Sequence, residues 1–169
     1  MTAAAIFVIF PFAMAYAAFS DLVSMTIANR VSVILVAAFL VLALLIGMPL
    51  EAIGWHFGVA IIALTVTFGC FAAGWMGGGD AKLMAATALW FGPTQGLIDY
   101  LALGAVYGGV LTLGLLLARE SFLPVTGIDF IDRLLERETG IPYGIGLGAA
   151  GLTAYSSSEW VSLAVRGLA

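Results

Sequence analysis

Apolar residues run along the chain in six long blocks, at residues 3–20, 31–48, 52–75, 81–92, 97–118 and 141–158, separated by short polar or Gly/Pro-rich breaks. A helix needs about 20 mostly apolar residues to cross a bilayer, and in lipid its backbone must satisfy its own hydrogen bonds, so each block predicts a helix. The fourth block is short. At 1.5 Å per residue, roughly 12 residues reach only about 18 Å, which predicts a segment that enters obliquely or packs inside the bundle. Punctuation independent of hydropathy agrees: Pro49 precedes the third block, Gly92-Pro93 follows the fourth and Gly140-Ile141-Pro142 opens the sixth.

Composition sharpens this pattern. The 169 residues are 63% hydrophobic and 9% charged, with a mean hydropathy of +1.13, so the bulk solvent is lipid. The net charge of −4 excludes a nucleic-acid partner, because phosphate binding needs clustered Lys and Arg. The few basic residues set orientation instead. With the N-terminus outside, the breaks at 21–30, 76–80 and 119–140 become cytoplasmic and collect Arg30, Lys82, Arg119, Arg133 and Arg137, leaving only Arg166 outside. A cleaved signal peptide ending near Ala13-Met14-Ala15 is the competing reading of the first block, but no Lys or Arg occurs before Arg30.

The polar stretch 119–140 carries a helix signal of its own. Thr126 is placed to cap, Asp129 follows three residues later, and Ile128, Ile131 and Leu135 share a face opposite Asp129, Asp132, Arg133, Glu136 and Arg137. Gly140 is placed to stop it. This predicts a short cytoplasmic amphipathic helix lying on the membrane surface or covering the bundle. The expected architecture is therefore all-α and polytopic: a single membrane-embedded domain over 1–169, with about six transmembrane helices, the fourth short. Glycine pairs at 54/58, 104/108 and 144/148 read as close helix contacts.

Little of the side-chain chemistry suits a metal or a thiol. Cys70 is the only cysteine and His56 the only histidine, so no disulfide framework or Cys-rich metal site can be built, and His56 reads as a packing or interfacial residue. No metal and no cofactor are expected. Acids are more informative, because an ionisable group at a membrane segment is costly. Glu51 and Asp99 complement outer helix starts, while Glu120, Asp129, Asp132, Glu136, Glu138 and Glu159 lie on solvated faces. Asp21 and Asp80 differ, each adjoining the cytoplasmic end of an apolar block. Two crossings separate them, so topology returns both to one membrane face. If they meet, two carboxyls in a low-dielectric site cannot both ionise easily, and one retains a proton. That arrangement suits peptide hydrolysis: the ionised member activates water and the protonated one polarises the scissile carbonyl. The run Gly77-Gly78-Gly79 before Asp80 removes every Cβ beside the acid, allowing the loop to bend and an extended substrate to approach, although a plain turn accounts for it equally.

Gly77-Gly78-Gly79-Asp80-Ala81-Lys82-Leu83 resembles the GxGD signature of the type IV prepilin peptidases. Asp21 with Ile27-Ala28-Asn29 downstream is similar to that family's first catalytic aspartate and its I-P-N, and Ile141-Pro142-Tyr143-Gly144 resembles its final-helix entry motif. Ala28 departs from the family's proline, and Met25-Thr26 replace basic residues often found there. The resemblance implies a GxGD membrane aspartyl protease with Asp21 and Asp80 catalytic. Gly77, Gly78, Gly79, Lys82 and Asn29 are candidates for shaping the loop or contacting substrate, with Lys82 either tuning the acid or anchoring topology. It further implies a prepilin or pseudopilin substrate, membrane lipid and pilus assembly machinery as partners, and a multi-pass place in the bacterial inner membrane with the site at the cytoplasmic face. Because the first two blocks are joined only by 21–30 and Cys70 is alone, the likeness is to the small, protease-only form of tight-adherence (Flp) pili, without a methyltransferase domain. Two rivals stand beside it: a carboxylate-based proton or cation carrier, and a non-catalytic pilus assembly component.

Overall fold

The computed structural model describes residues 2–123 and 125–167, and among these residues it holds eight helices and no strand. They are α1 (Thr2–Ser24), α2 (Asn29–Leu45), α3 (Leu50–Ala72), α4 (Gly78–Phe91), α5 (Gln95–Ser121), α6 (Asp129–Leu135), α7 (Tyr143–Tyr155) and α8 (Glu159–Val165). Helices α1, α3 and α5 are long and apolar enough to cross a membrane, α2 is a shorter apolar helix, and the chain is an all-α polytopic membrane protein.

The short fourth segment settles inside the bundle. Helix α4 packs against α2, α3, α5 and α7, and every residue from Ala85 to Phe91 is buried. Its small residues let the neighbours approach closely, which stands in for a hydrophobic driving force between helices in lipid. By contrast α3 buries only Ile53 and Thr67 and exposes Ile61, Ile62, Val66 and Phe68 to its surroundings. Gly92 ends α4 at φ 59°, a left-handed conformation that favours glycine, and a Cβ there would also strike the His56 ring.

One end of the bundle is an aromatic cluster. Phe10 stacks on Tyr155 at 4.2 Å between ring centroids, and Trp90 packs against Phe10, Phe39 and Trp160. The polar tips are matched to carbonyls of neighbouring helices: Trp90 Nε1 donates to Leu35 at 3.0 Å, Trp160 Nε1 to Trp90 at 2.9 Å, and Tyr155 Oη to Ile6 at 3.1 Å. His56 belongs to the same layer, its Nδ1 2.7 Å from the Leu89 carbonyl, which makes it a packing residue.

Four expectations change. The sixth block is not one helix: α7 ends at Tyr155, and Ser158 caps the separate α8 by accepting from the Val161 N–H at 3.4 Å. Serine side chains compete with helix hydrogen bonds and favour caps, which explains a break at Ser156-Ser157-Ser158. The amphipathic helix is shorter than its pattern, starting after Ile128 and stopping at Leu135, well before Gly140. The acid that reaches back is Asp132, not Asp129, accepting from the N–H and hydroxyl of Thr126 at 2.7 Å each and from the Gly127 N–H at 3.1 Å. Finally, a Cβ on Gly54 or Gly58 would meet nothing within 4 Å, whereas Gly108, Gly144 and Gly148 do sit at close contacts and Gly104 at an ordinary van der Waals distance.

Candidate active site

Both acids lie at the end of the bundle opposite the aromatic cluster. Asp21 occupies the last turn of α1, 5% exposed, and its carbonyl accepts the Met25 N–H at 2.9 Å. Met25 closes that helix at φ 55°, an unusual conformation for a residue with a Cβ. Ser20 Oγ donating to the Thr26 carbonyl at 2.8 Å and Ser24 Oγ at 2.8 Å from Thr26 Oγ1 hold the turn. The chain then runs extended into Ala28 and buries Ile27 between the other parts of the site.

Asp80 stands in the first turn of α4, 8% exposed, where a carboxyl complements the helix dipole. Its Oδ1 is buried without a hydrogen-bond partner, and it lies within electrostatic range of Asp21. The three glycines before it act through space rather than by bending: none has a positive φ, and Gly78 and Gly79 are already helical. A Cβ on Gly79 would stand 3.1 Å from Ile27 Cβ, one on Gly78 3.3 Å from the Phe71 ring, and one on Gly77 3.0 Å from Asp80 Oδ2. The room those glycines leave is thus taken largely by the protein's own Ile27 and Phe71.

A third helix completes the arrangement. The Gly144 N–H at the start of α7 donates to Asp21 Oδ2 at 2.8 Å. A Cβ on Gly144 would fall 2.8 Å from that same oxygen and 2.7 Å from Ile27 Cδ1. Each acid therefore sits at a helix N-terminus, Asp80 on that of α4 and Asp21 against that of α7. Gly144 was absent from the site candidates drawn from sequence, although its place in the Ile141-Pro142-Tyr143-Gly144 motif and in the 144/148 glycine pair pointed to it.

Lys82 and Asn29 are brought together, Nζ donating to Oδ1 at 2.9 Å across 53 residues of sequence. The lysine spends that hydrogen bond on the start of α2 and not on Asp80. Lys82 also marks one end of an apolar cleft of about 460 Å³ between α2 and α3, floored by Ala85, Ala86 and Leu89 of α4. Among the described residues, no group of three His, Cys, Asp or Glu side chains is placed to hold a metal ion.

Two buried carboxyls, one accepting a backbone N–H and the other with an unpartnered oxygen, are held on either side of Ile27, which both Gly79 and Gly144 meet, and such a pair has the chemistry to act on a water and a carbonyl together. The family model described as the type IV leader peptidase family matches residues 8–117, a span holding both acids and the glycine-rich start of α4, while α7 lies beyond it. No curated protein and no solved structure matches the chain. Since residues 8–117 are more than half of the 169, the chain belongs to the type IV leader peptidase family.

Proposed function

We propose that this family member is an aspartic endopeptidase that uses Asp21 and Asp80 to remove the leader of Flp-type prepilins or pseudopilins at the cytoplasmic face of the bacterial inner membrane. The observation that carries the reading is the burial of both acids at one end of an apolar bundle, where Ile27 and Gly144 join the end of α1 to the starts of α4 and α7. One proton is shared by the pair. The ionised carboxyl takes a proton from water as the oxygen attacks the scissile carbonyl, and the protonated one supports the developing oxyanion and then hands its proton to the leaving nitrogen. The apolar helix of the substrate lies in the lipid-facing cleft between α2 and α3. Small residues Ala37, Ala60, Ala85 and Ala86 line that cleft, and it ends at Lys82, two positions from Asp80.

The test is co-expression of a Flp-type prepilin with the parent and with Asp21→Asn and Asp80→Asn, following leader removal by gel shift and mass spectrometry. Asparagine keeps the shape but neither accepts nor supplies the proton. The parent should cleave, and each variant, inserted in normal amount, should lose at least about 10²-fold in rate. Cleavage persisting in either variant removes that acid from the chemistry.

A further inference from the structure

Arg119 occupies the last turn of α5, a helix that otherwise buries only Tyr100, Gly104 and Gly108, yet it is itself only 7% exposed. Its guanidinium is held by backbone carbonyls: Nε donates to Leu134 at 2.8 Å and an Nη to Gly140 at 2.9 Å. Leu134 is near the end of α6, and Gly140 stands three residues before α7 begins. One planar cation thus ties both ends of the 134–140 link to the end of α5.

Beyond that link, the chain enters α7 and places the Gly144 N–H on Asp21. Between the two, Pro142 serves as the N-cap of α7 with φ −73°, and Tyr143 lies against Gly108 of α5. Gly146 would bring a Cβ to 2.8 Å from the Gly108 backbone N. Helix α7 is therefore registered on α5 at two levels, by glycine contact around Gly108 and by Arg119 beyond it. Arg133 adds a tie on the other side, donating to the Val23 carbonyl at 3.1 Å just past Asp21.

We infer that Arg119 is a positioning residue, clamping the 134–140 link so that the start of α7 delivers its N–H to Asp21. The activity part of this inference rests on the proposed peptidase reading; the clamp itself does not. An orientation anchor needs only a positive charge, which lysine would supply. A clamp needs two N–H groups in a fixed fork, which lysine lacks.

The experiment uses the full chain in lipid nanodiscs, as parent, Arg119→Lys and Arg119→Gln, with two readouts: amide hydrogen exchange by mass spectrometry, and prepilin cleavage. Exchange across 141–146 should rise about tenfold in the Gln variant, as expected for loss of about one hydrogen bond's worth of stabilisation, and by less in the Lys variant, while α3 is unchanged. The kcat for cleavage should fall at least about tenfold with KM little altered, since the reacting groups shift while the substrate surface stays. Unchanged exchange at 141–146 in the Gln variant overturns the clamp, and so does a Lys variant indistinguishable from the parent in both readouts. If the parent cleaves no prepilin, the exchange readout alone decides the clamp, so failure of the peptidase reading is seen separately.

Discussion

A methyl group at position 144 has no room, because it would press on Asp21 Oδ2, Asp21 Cβ and Ile27 together. Overpacking of this kind costs about 1–3 kcal/mol, so Gly144→Ala should lower the unfolding midpoint in detergent and reduce cleavage more than the loss of folded protein explains. Gly104→Ala, whose Cβ would meet Leu147 at an ordinary 3.5 Å, should leave both nearly as in the parent. Ala28 makes the opposite case. Its φ of −65° is the angle proline imposes, and its N–H donates none of the hydrogen bonds found among the described residues. Ala28→Pro should stabilise the fold by about 0.4–1 kcal/mol, chiefly by restricting the unfolded chain, and thermal unfolding would measure it. The two acids were legible in the sequence because charge at a membrane segment is rare. Gly144 was harder, since it acts through a backbone N–H that every residue but proline possesses. The hydrogen bond of Lys82 was not legible, because its partner Asn29 is distant in sequence and near only in the fold.

At the scale of elements, the loop ahead of α6 depends on one carboxyl. The Thr126 hydroxyl, then the Thr126 and Gly127 N–H groups, hold Asp132 below the usual carboxylate range. A depressed folded-state value means that the loop's support is complete above the unfolded value of about 3.9 and is lost as pH falls through the lower folded one. The amide resonances of Thr126 and Gly127 should therefore titrate with a midpoint below about 3.9, and Asp132→Asn should remove that titration. The sequence pattern located this helix but misplaced its cap, because Asp129 and Asp132 are both plausible acids in a first turn and only the folded loop distinguishes them. Helices α1 to α5 were readable as blocks, with ends displaced by a few residues. The sixth block failed as a single helix because hydropathy averages over the three serines that turn the chain between α7 and α8.

For the whole molecule, the lipid-facing surface carries its own ruler. Trp55, in the second turn of α3, and Trp75, just past its end, are 62% and 80% exposed and stand roughly 25–30 Å apart along the helix direction, the thickness of a hydrocarbon core whose two interfaces favour such rings. In a Cys70→Ser background, cysteines at positions 24 and 78 should label from the cytoplasmic side, and those at 49 and 157 from the other. Labelling of 24 and 78 from opposite sides would sink the shared site. Helix α4 carries a different consequence. From Ala85 to Phe91 it is buried among its neighbours, open only along the cleft floored by Ala85, Ala86 and Leu89, so it has its resting place only once α2, α3, α5 and α7 have arrived to wall it in. During synthesis Asp21 emerges first, Asp80 follows on a segment that cannot yet settle, and the N–H that anchors Asp21 comes later, at the start of α7. On the proposed reading, a chain whose α7 has not yet docked is a silent protease, because Asp21 still lacks the N–H that holds it.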